Sequence, residues 1–306
     1  MLTTSIVLYK TPRNQIETVL KSVFDSNCVD KIYIIDNSPT DALSYVKDIS
    51  PLIEYIPHEN TGYGSSHNIG IKKSIEIGAD NHVVLNPDIR FEPNVLQELA
   101  NYMSENQDVG YILPKVVYPN GELQYLCKLL PTPSDLIFRR FLPKTKKTEE
   151  KNDRYVLKQS GYDKIINPPC LSGCFMFLNC KILKEHNLYF DDRFFMYFED
   201  FDLMRRIHKV SKTIFYPHVS IIHDHAKESY KSKKMLIQHI KSAIKYFNKW
   251  GWIFDKERKE MNDTARKMAE IVWTMLSDKQ DFDSSKMMGK YKPMNLVDQA
   301  LAVINQ

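Results

Sequence analysis

The first hundred residues alternate short runs of apolar β-formers with stretches in which apolar residues recur at helical intervals. TSIVLY at 4–9 predicts a buried strand, and 14–26 predicts a helix through Ile16, Val19, Leu20 and Val23. A second strand spans 31–36 and ends in the turn cluster Asp36-Asn37-Ser38-Pro39. A helix near 40–47, a strand at 53–56, a loop from 58 to 66 and a helix at 68–77 follow. HVVLNPDI at 82–89 is a strand that breaks at Pro87, and 93–103 is again helical. This alternation predicts an α/β fold, a Rossmann-like and mostly parallel sheet with helices on both faces. Ligands of such sheets lie beyond the carboxyl ends of the strands, so Tyr9, Asp36, the loop starting at Asn60 and Asp88 are expected to converge on one crevice.

Past residue 108 the pattern changes. Residues 109–124 suggest a strand pair turning at Asn120-Gly121. The basic, proline-containing stretch 126–159 reads as mobile loop with one helix near 134–141, and KTKKTEEK at 144–151 as a solvated loop of mixed sign. Residues 168–186 form a strand entering a helix, and 213–225 one more strand that carries His223. Helical spacing returns at 232–250 and 263–276, and the last 25 residues have weak pattern.

Composition narrows the classes. A net charge of +4 on 306 residues is too mild for a strongly basic nucleic-acid binder. Five cysteines, an odd number without CxxC pairs, read as reduced thiols in a cytoplasmic protein. The apolar run at the start is too short for a signal peptide, and no run is long enough to span a membrane.

Chemistry concentrates in FFMYFEDFDLMRR at 194–206, where Glu199, Asp200 and Asp202 stand among aromatic residues and are followed by Arg205 and Arg206. Ionised carboxylates in such surroundings cost free energy unless a metal, an arginine or a hydroxyl proton uses the charge. The same arrangement also suits a helix start, with acids in the first turn and arginines further along. Asp88 sits at a proline-enforced bend where a carboxylate could ligate Mg²⁺ or Mn²⁺ together with substrate phosphates, and His223 is the candidate second ligand. An Asx turn and a half-buried histidine are the alternatives for these two residues. Gly62 and Gly64, one residue apart before a helix, would let the backbone approach a phosphate or ribose. The loop lacks the GxGxxG spacing of a dinucleotide-binding dehydrogenase.

Taken in order, SIVLYKT, IIDNS, NTGYGSSHNIG, LNPDI, LSGCFMF, FDDRFFMYFEDFDLMRR and IIHDH make the chain resemble the inverting family 2 nucleotide-sugar glycosyltransferases of GT-A fold. The resemblance is strongest to the bacterial rhamnosyltransferase-like branch that builds surface polysaccharides. It implies a GT-A catalytic domain at 1–228, with a donor-binding half at about 1–115 and an acceptor half at about 116–228, and a C-terminal helical region at 229–306. Tyr9 and Thr11 would flank the nucleotide and Asp36 would contact its base or ribose. Asn60, Gly62, Tyr63, Gly64, His67 and Asn68 would close over the nucleoside. Asn86-Pro87-Asp88 stands where the family carries its DxD metal motif, with Asn86 replacing the first aspartate. Asp200 matches the general base that deprotonates the acceptor hydroxyl, which then attacks with inversion. Glu199 and Asp202 are assigned to positioning of acceptor hydroxyls with Arg205 or Arg206, and Gly173 to close backbone approach at the donor sugar.

The partners so implied are a dTDP-, UDP- or GDP-sugar, a divalent cation (Mn²⁺ or Mg²⁺) and a lipid-linked glycan acceptor of O-antigen or capsule type. A sugar nucleotidylyltransferase and a non-catalytic nucleotide- or glycan-binding relative are the competing readings. The lysine-rich helix at 232–250, with Trp250 and Trp252 near its end, has three open uses: packing on the catalytic domain, contact with an anionic membrane surface, or self-association into a homo-oligomer. The expected location is cytoplasmic, with peripheral contact at the inner face of the cytoplasmic membrane as an open extension.

Overall fold

The computed structural model describes residues 1–136, 143, 145–224 and 232–277, with side chains through 272. Eight strands form one mixed sheet in the order β3-β2-β1-β4-β7-β6-β8-β5. In chain order they are β1 (Leu2–Leu8), β2 (Lys31–Asp36), β3 (Ile53–Pro57), β4 (Asn81–Leu85), β5 (Ile89–Phe91), β6 (Val109–Val117), β7 (Phe175–Asn179) and β8 (Lys212–His223). The helices are α1 (Arg13–Asp25), α2 (Tyr63–Glu76), α3 (Val95–Glu105), α4 (Lys146–Tyr155), α5 (Cys180–Glu185), α6 (Glu199–Val210), α7 (Lys233–Trp250) and α8 (Lys256–Ser277).

Strand direction places the site. β1, β2, β3 and β4 are parallel, while β7 runs antiparallel to both β4 and β6, and β5 antiparallel to β8. Leu85 pairs with Phe175, so the segment entering β7 meets the carboxyl end of β4. Ile89 pairs with His223, so β5 begins where β8 ends. The two reversed strands therefore bring Gly173, Cys174, Asp88 and His223 to the sheet edge where the parallel strands finish.

Several sequence expectations change here. The stretch near 40–47 is a short 3₁₀ turn, Ser44–Asp48, with Val46 as its buried residue. α2 starts at Tyr63, five residues before the expected onset, because it seats a polar seam on the sheet instead of an apolar stripe. Ser5 Oγ lies 2.8 Å from both His67 Nδ1 and His82 Nε2, and Thr3 Oγ1 lies 2.7 Å from Ser74 Oγ. The expected hairpin keeps its turn, with Tyr118 N donating to Glu122 O, but the return arm makes a single bridge, Val117 to Leu123.

The stretch expected to be loop contains α4, whose Thr145 and Thr148 cap each other's backbone in a capping box. The helix expected near 134–141 is seen as a helical start at 133–136, and 137–141 lies outside the described residues, as do residue 225 and the last 25 residues. α8 begins at Lys256, ahead of the expected 263.

A second, smaller aromatic core lies apart from the main one. Phe194 and Phe198 pack with Tyr246 and Phe247 of α7, and Leu136, Tyr197, Phe201, Ala243 and Trp250 surround them. Polar ties reinforce the contact. Ser242 Oγ donates to Met196 O at 2.7 Å, Lys245 Nζ to Arg193 O at 2.6 Å, and Trp250 Nε1 to Asp202 Oδ1 at 2.8 Å. α7 therefore clamps the acidic segment, which is the first of the three uses left open for this helix. Among the described residues no helix is long and apolar enough to cross a membrane.

Candidate active site

The acidic segment enters α6 through strained backbone. Tyr197 and Phe198 both have φ 68°, a left-handed conformation that costs bulky residues about 1–3 kcal/mol each. The aromatic core and the bond from Ser242 to Met196 O hold that turn in place, and the turn aims the acids that follow it.

The five charged residues grouped there part company in the structure. Asp202 is fully buried and engaged by Arg206 Nε at 3.0 Å, Lys249 Nζ at 2.6 Å and Trp250 Nε1 at 2.8 Å. Arg205 is 1% exposed, pairs with Asp255 at 2.6 Å and Glu257 at 2.8 Å, and lies 4.1 Å over the Trp250 ring. Arg206 also donates to Tyr189 O at 2.6 Å. The acceptor contacts expected of Asp202, Arg205 and Arg206 are thus replaced by internal ones, because these side chains fasten α6 to α7, to α8 and to the segment before it.

Asp200 and Glu199 remain. Asp200 is half-buried, and its Oδ1 accepts from Phe201 N at 2.8 Å. Burial raises its pKa above the usual carboxylate range, while Lys128 and backbone N–H groups, Gly173's among them, pull the other way. Glu199 is 6% exposed, and burial followed by the neighbouring Asp200 charge pushes its carboxyl well up. Gly173 is expected to approach a donor sugar, yet a Cβ there would stand 3.0 Å from Asp200 Cβ. Its missing side chain makes room for the acid.

Tyr63 links this acid pair to the sheet edge. Its hydroxyl is 2.9 Å from Asn86 Oδ1 and 2.7 Å from Gly173 O. Burial, then the charges of Cys174, Glu199, Asp200 and Asp88, raise the phenol's pKa well above its ordinary value, so the hydroxyl keeps its proton. Asn86 is thereby used as an acceptor for Tyr63.

Asp88 and His223 do meet, with Asp88 Oδ1 3.5 Å from His223 Nε2. Gln124 Nε2 donates to His223 O at 2.8 Å, which turns the amide oxygen toward His223 Nδ1 at 3.1 Å. Burial opposes charge on His223, but Cys174 and Asp88 outweigh it and hold the pKa up to about 10. Among the described residues no group of three or more His, Cys, Asp or Glu could hold a metal. Two protein ligands, one of them oriented through its second ring nitrogen, would suit a Mn²⁺ or Mg²⁺ ion that displaces the Nε2 proton of His223, with the ion's other positions left to phosphate oxygens and water.

The residues expected to meet a nucleoside lie at the carboxyl ends of β1 and β2. A cavity of about 470 Å³ is lined by Asp36, Ser38, Asp41, Tyr55, His58 and Glu59, among others. Asp36 is 2% exposed and already accepts from Ser38 N at 2.9 Å and Tyr55 OH at 2.7 Å, so it shapes the wall of the cavity. Tyr9 is exposed beside it, and Thr11 Oγ1 accepts from Tyr9 N at 3.2 Å. Lys10 N donates to Ser38 Oγ at 2.8 Å and joins the two turns.

The 60–68 loop departs from expectation. Asn60 is half-buried before α2, but Gly62 (φ 113°) presses on the Phe195 backbone, and a Cβ on Gly64 would meet Phe190 Cβ at 2.6 Å. These glycines admit the 190–195 segment, not a phosphate. His67 is fully buried in the polar seam, its pKa lowered by burial and then by His82, and Asn68 Nδ2 donates to Phe190 O at 2.9 Å. Both residues brace the crevice from behind and present no surface to a ligand.

Sequence reasoning missed Gln124, Lys128, Tyr55 and Cys174. Tyr55 sits midway along the edge strand β3 and could have been found there, whereas the other three gain meaning only from contacts across the fold.

Comparison with known proteins identifies the family and the fold. Residues 5–186 match the model of glycosyl transferase family 2. No curated protein matches the sequence. Among solved structures, the mannosyltransferase PcManGT from Pyrobaculum calidifontis, in complex with GDP-Man and Mn²⁺, is similar at TM-score 0.52 and 14% identity, over 99% of this chain and 85% of that one. S. aureus TarS is similar at TM-score 0.50 and 11% identity, over 96% of this chain and 46% of that one, so the chain spans about half of its length. TarS 1-349 in complex with UDP-GlcNAc gives TM-score 0.50 and 11% identity over 98% and 79%. At these identities the structural likeness shows the fold, a GT-A-like α/β sheet with a helical C-terminal part. The family match covers more than half of the sequence: this chain belongs to glycosyl transferase family 2.

Proposed function

We propose that the protein transfers a single sugar from a nucleotide-diphosphate donor to a hydroxyl of a glycan acceptor, with inversion at the anomeric carbon. The observation that carries this reading is the separation of roles along one edge of the sheet. Asp200 is the half-buried acid set against Gly173, whose carbonyl accepts from Tyr63, while Asp88 pairs with His223 where β5 meets β8.

In this reading the nucleoside occupies the cavity lined by Asp36, Ser38 and Tyr55, and Tyr9 and Thr11, on the turn that Lys10 ties to Ser38, would flank the nucleotide. Asp88 and His223 would hold a divalent cation, which when bound offsets charge on the departing diphosphate. Asp200 takes the proton from the acceptor hydroxyl as its oxygen attacks the anomeric carbon from the face opposite the nucleotide. The raised pKa of Asp200 suits it to accept that proton. Tyr63 positions the machinery, since one hydroxyl braces both the Asn86 turn and the Gly173 backbone. The domain division at about residue 228 belongs to the same proposal, with the C-terminal helices serving as a clamp on the catalytic segment.

The support from other proteins is of the same kind. The PcManGT structure holds GDP-Man with Mn²⁺, and the TarS 1-349 structure holds UDP-GlcNAc. The test is to incubate the protein with UDP-, GDP- and dTDP-sugars and Mn²⁺, measuring nucleoside diphosphate release, thermal shift and the anomeric configuration of any product by NMR. Binding with release and an inverted product is the expected result. Absence of both thermal shift and release with every donor would remove the reading, and a retained configuration would remove Asp200 as base.

A further inference from the structure

α7 turns its aromatic side to the catalytic segment, and its opposite side carries apolar residues that nothing among the described residues covers. Ile237, Ile240 and Ile244 recur at helical spacing and are 55%, 44% and 43% exposed. The α7–α8 turn continues the surface with Trp252 (44%), Ile253 (78%) and Phe254 (94% exposed). Three consecutive large apolar residues held at a turn in water carry a free-energy cost that folding does not require. The turn itself is well built: Trp252 stacks on Phe247 at 5.3 Å and donates to Asn248 Oδ1 at 2.8 Å, so Ile253 and Phe254 project from a fixed support.

The charge along α7 and the turn is mostly positive, with Lys256 paired to Glu260 at 3.7 Å just beyond it. From Lys233 to Lys256 there are six lysines, and the lone carboxylate, Asp255, is buried against Arg205. Lys233, Lys234, Lys241 and Lys256 are exposed beside the isoleucines and the turn.

We infer that the outer face of α7 and the Trp252-Ile253-Phe254 turn dock on an anionic lipid surface, with Phe254 and Ile253 entering the headgroup boundary and the lysines pairing with lipid phosphates. Charge complementarity selects this occupant. In a symmetric contact with a second copy, the same lysines would face one another. Residues 278–306 carry four aspartates and four lysines and so offer no net acidic complement. Because the other side of α7 grips Phe194 and Phe198, docking would hold the acidic segment at a fixed height above the bilayer. The inference stands on the surface alone and not on the sugar-transfer reading.

The experiment is flotation of the full chain with phosphatidylcholine vesicles, with and without phosphatidylglycerol. Binding to the anionic vesicles, with little on neutral ones, is expected. Ile253→Glu with Phe254→Glu should weaken it on the order of tenfold or more, and Lys233→Glu with Lys241→Glu on the order of tenfold. All four positions are solvent-exposed, so the variants should keep the parent melting temperature. No binding to anionic vesicles overturns the inference, as does binding that neither pair of substitutions weakens. A concentration-dependent dimer abolished by Ile253→Glu would instead assign the surface to a second copy.

Discussion

Gly173 and Asp200 stand so close that a methyl group on the glycine would lie 3.0 Å from the aspartate's Cβ. Such a contact displaces the acid, the glycine or both by a few tenths of an ångström. Overpacking of this kind costs about 1–3 kcal/mol, and a misplaced base costs rate. Gly173→Ala is therefore expected to fold with a lowered melting temperature and to lose a larger factor in kcat than in donor affinity. Equal losses in both would mean that Gly173 faces the donor directly.

Asp200 should show its role in both magnitude and pH dependence. Asp200→Asn is expected to lower kcat by about 10²–10⁴-fold while leaving donor binding intact. The base acts when deprotonated, so the wild-type rate should fall as pH drops through a pKa raised above the ordinary aspartate value. Lys128 opposes that rise. Lys128→Met should move the acidic limb of the rate profile to higher pH, and an unmoved limb would separate Lys128 from the base.

Glu199 is buried beside Asp200 and holds its proton more tightly in the folded chain than in the unfolded one. A raised folded pKa contributes stability that is fully present below the unfolded value of 4.5 and is lost as pH rises through the folded one. Glu199→Gln cannot lose that proton. Its melting temperature should coincide with wild type in acid and exceed it increasingly as pH rises. A gap that widened toward low pH would show that Glu199 is ionised in the fold.

How much of this could be read in the chain depends on the range of the cause. β2 was legible to the residue, because KIYIID is an apolar run ending at a turn cluster. The onset of α2 was not, since its buried side is Gly64, Ser66, His67 and Gly70, whose meaning comes from Ser5 and His82 on neighbouring strands. Asp88 and His223 were paired from their places at strand ends, and the β5–β8 register brings them together. Asp202 and Arg205 looked like site residues because local sequence cannot show that Trp250 and Asp255, some fifty positions away, engage them.

Arg205 tests that reassignment. It is 1% exposed with Asp255 and Glu257 as partners, so Arg205→Ala removes the closest cation of the buried Asp255, leaving it Arg258 at 3.8 Å, while Glu257 keeps Lys209. Removing one member of a buried ion pair costs about 3–5 kcal/mol. The variant should unfold at a distinctly lower denaturant concentration, and where it remains folded its acceptor KM should be unchanged. A stable variant with a raised acceptor KM would return Arg205 to the acceptor site.

Gln124 offers a test of the cation site that leaves both proposed ligands in place. Its amide nitrogen is committed to His223 O, so its oxygen faces His223 Nδ1 and requires a proton there. Nε2, 3.5 Å from Asp88 Oδ1, is then the ring nitrogen whose proton a metal would displace. Gln124→Met keeps the bulk and removes both hydrogen bonds, which frees the ring to rotate and to exchange its proton between nitrogens. Loss of such an orienting partner typically weakens metal affinity by about 10–100-fold. Titration of activity with Mn²⁺ after chelation should show the Gln124→Met curve shifted by that factor toward higher concentration, with most of the maximal rate recovered at saturation. Asp88→Asn, which removes a ligand outright, should lose maximal rate as well. If chelation leaves the wild-type rate untouched, or if Gln124→Met lowers the maximum without shifting the curve, then Asp88 and His223 serve the fold and not a cation.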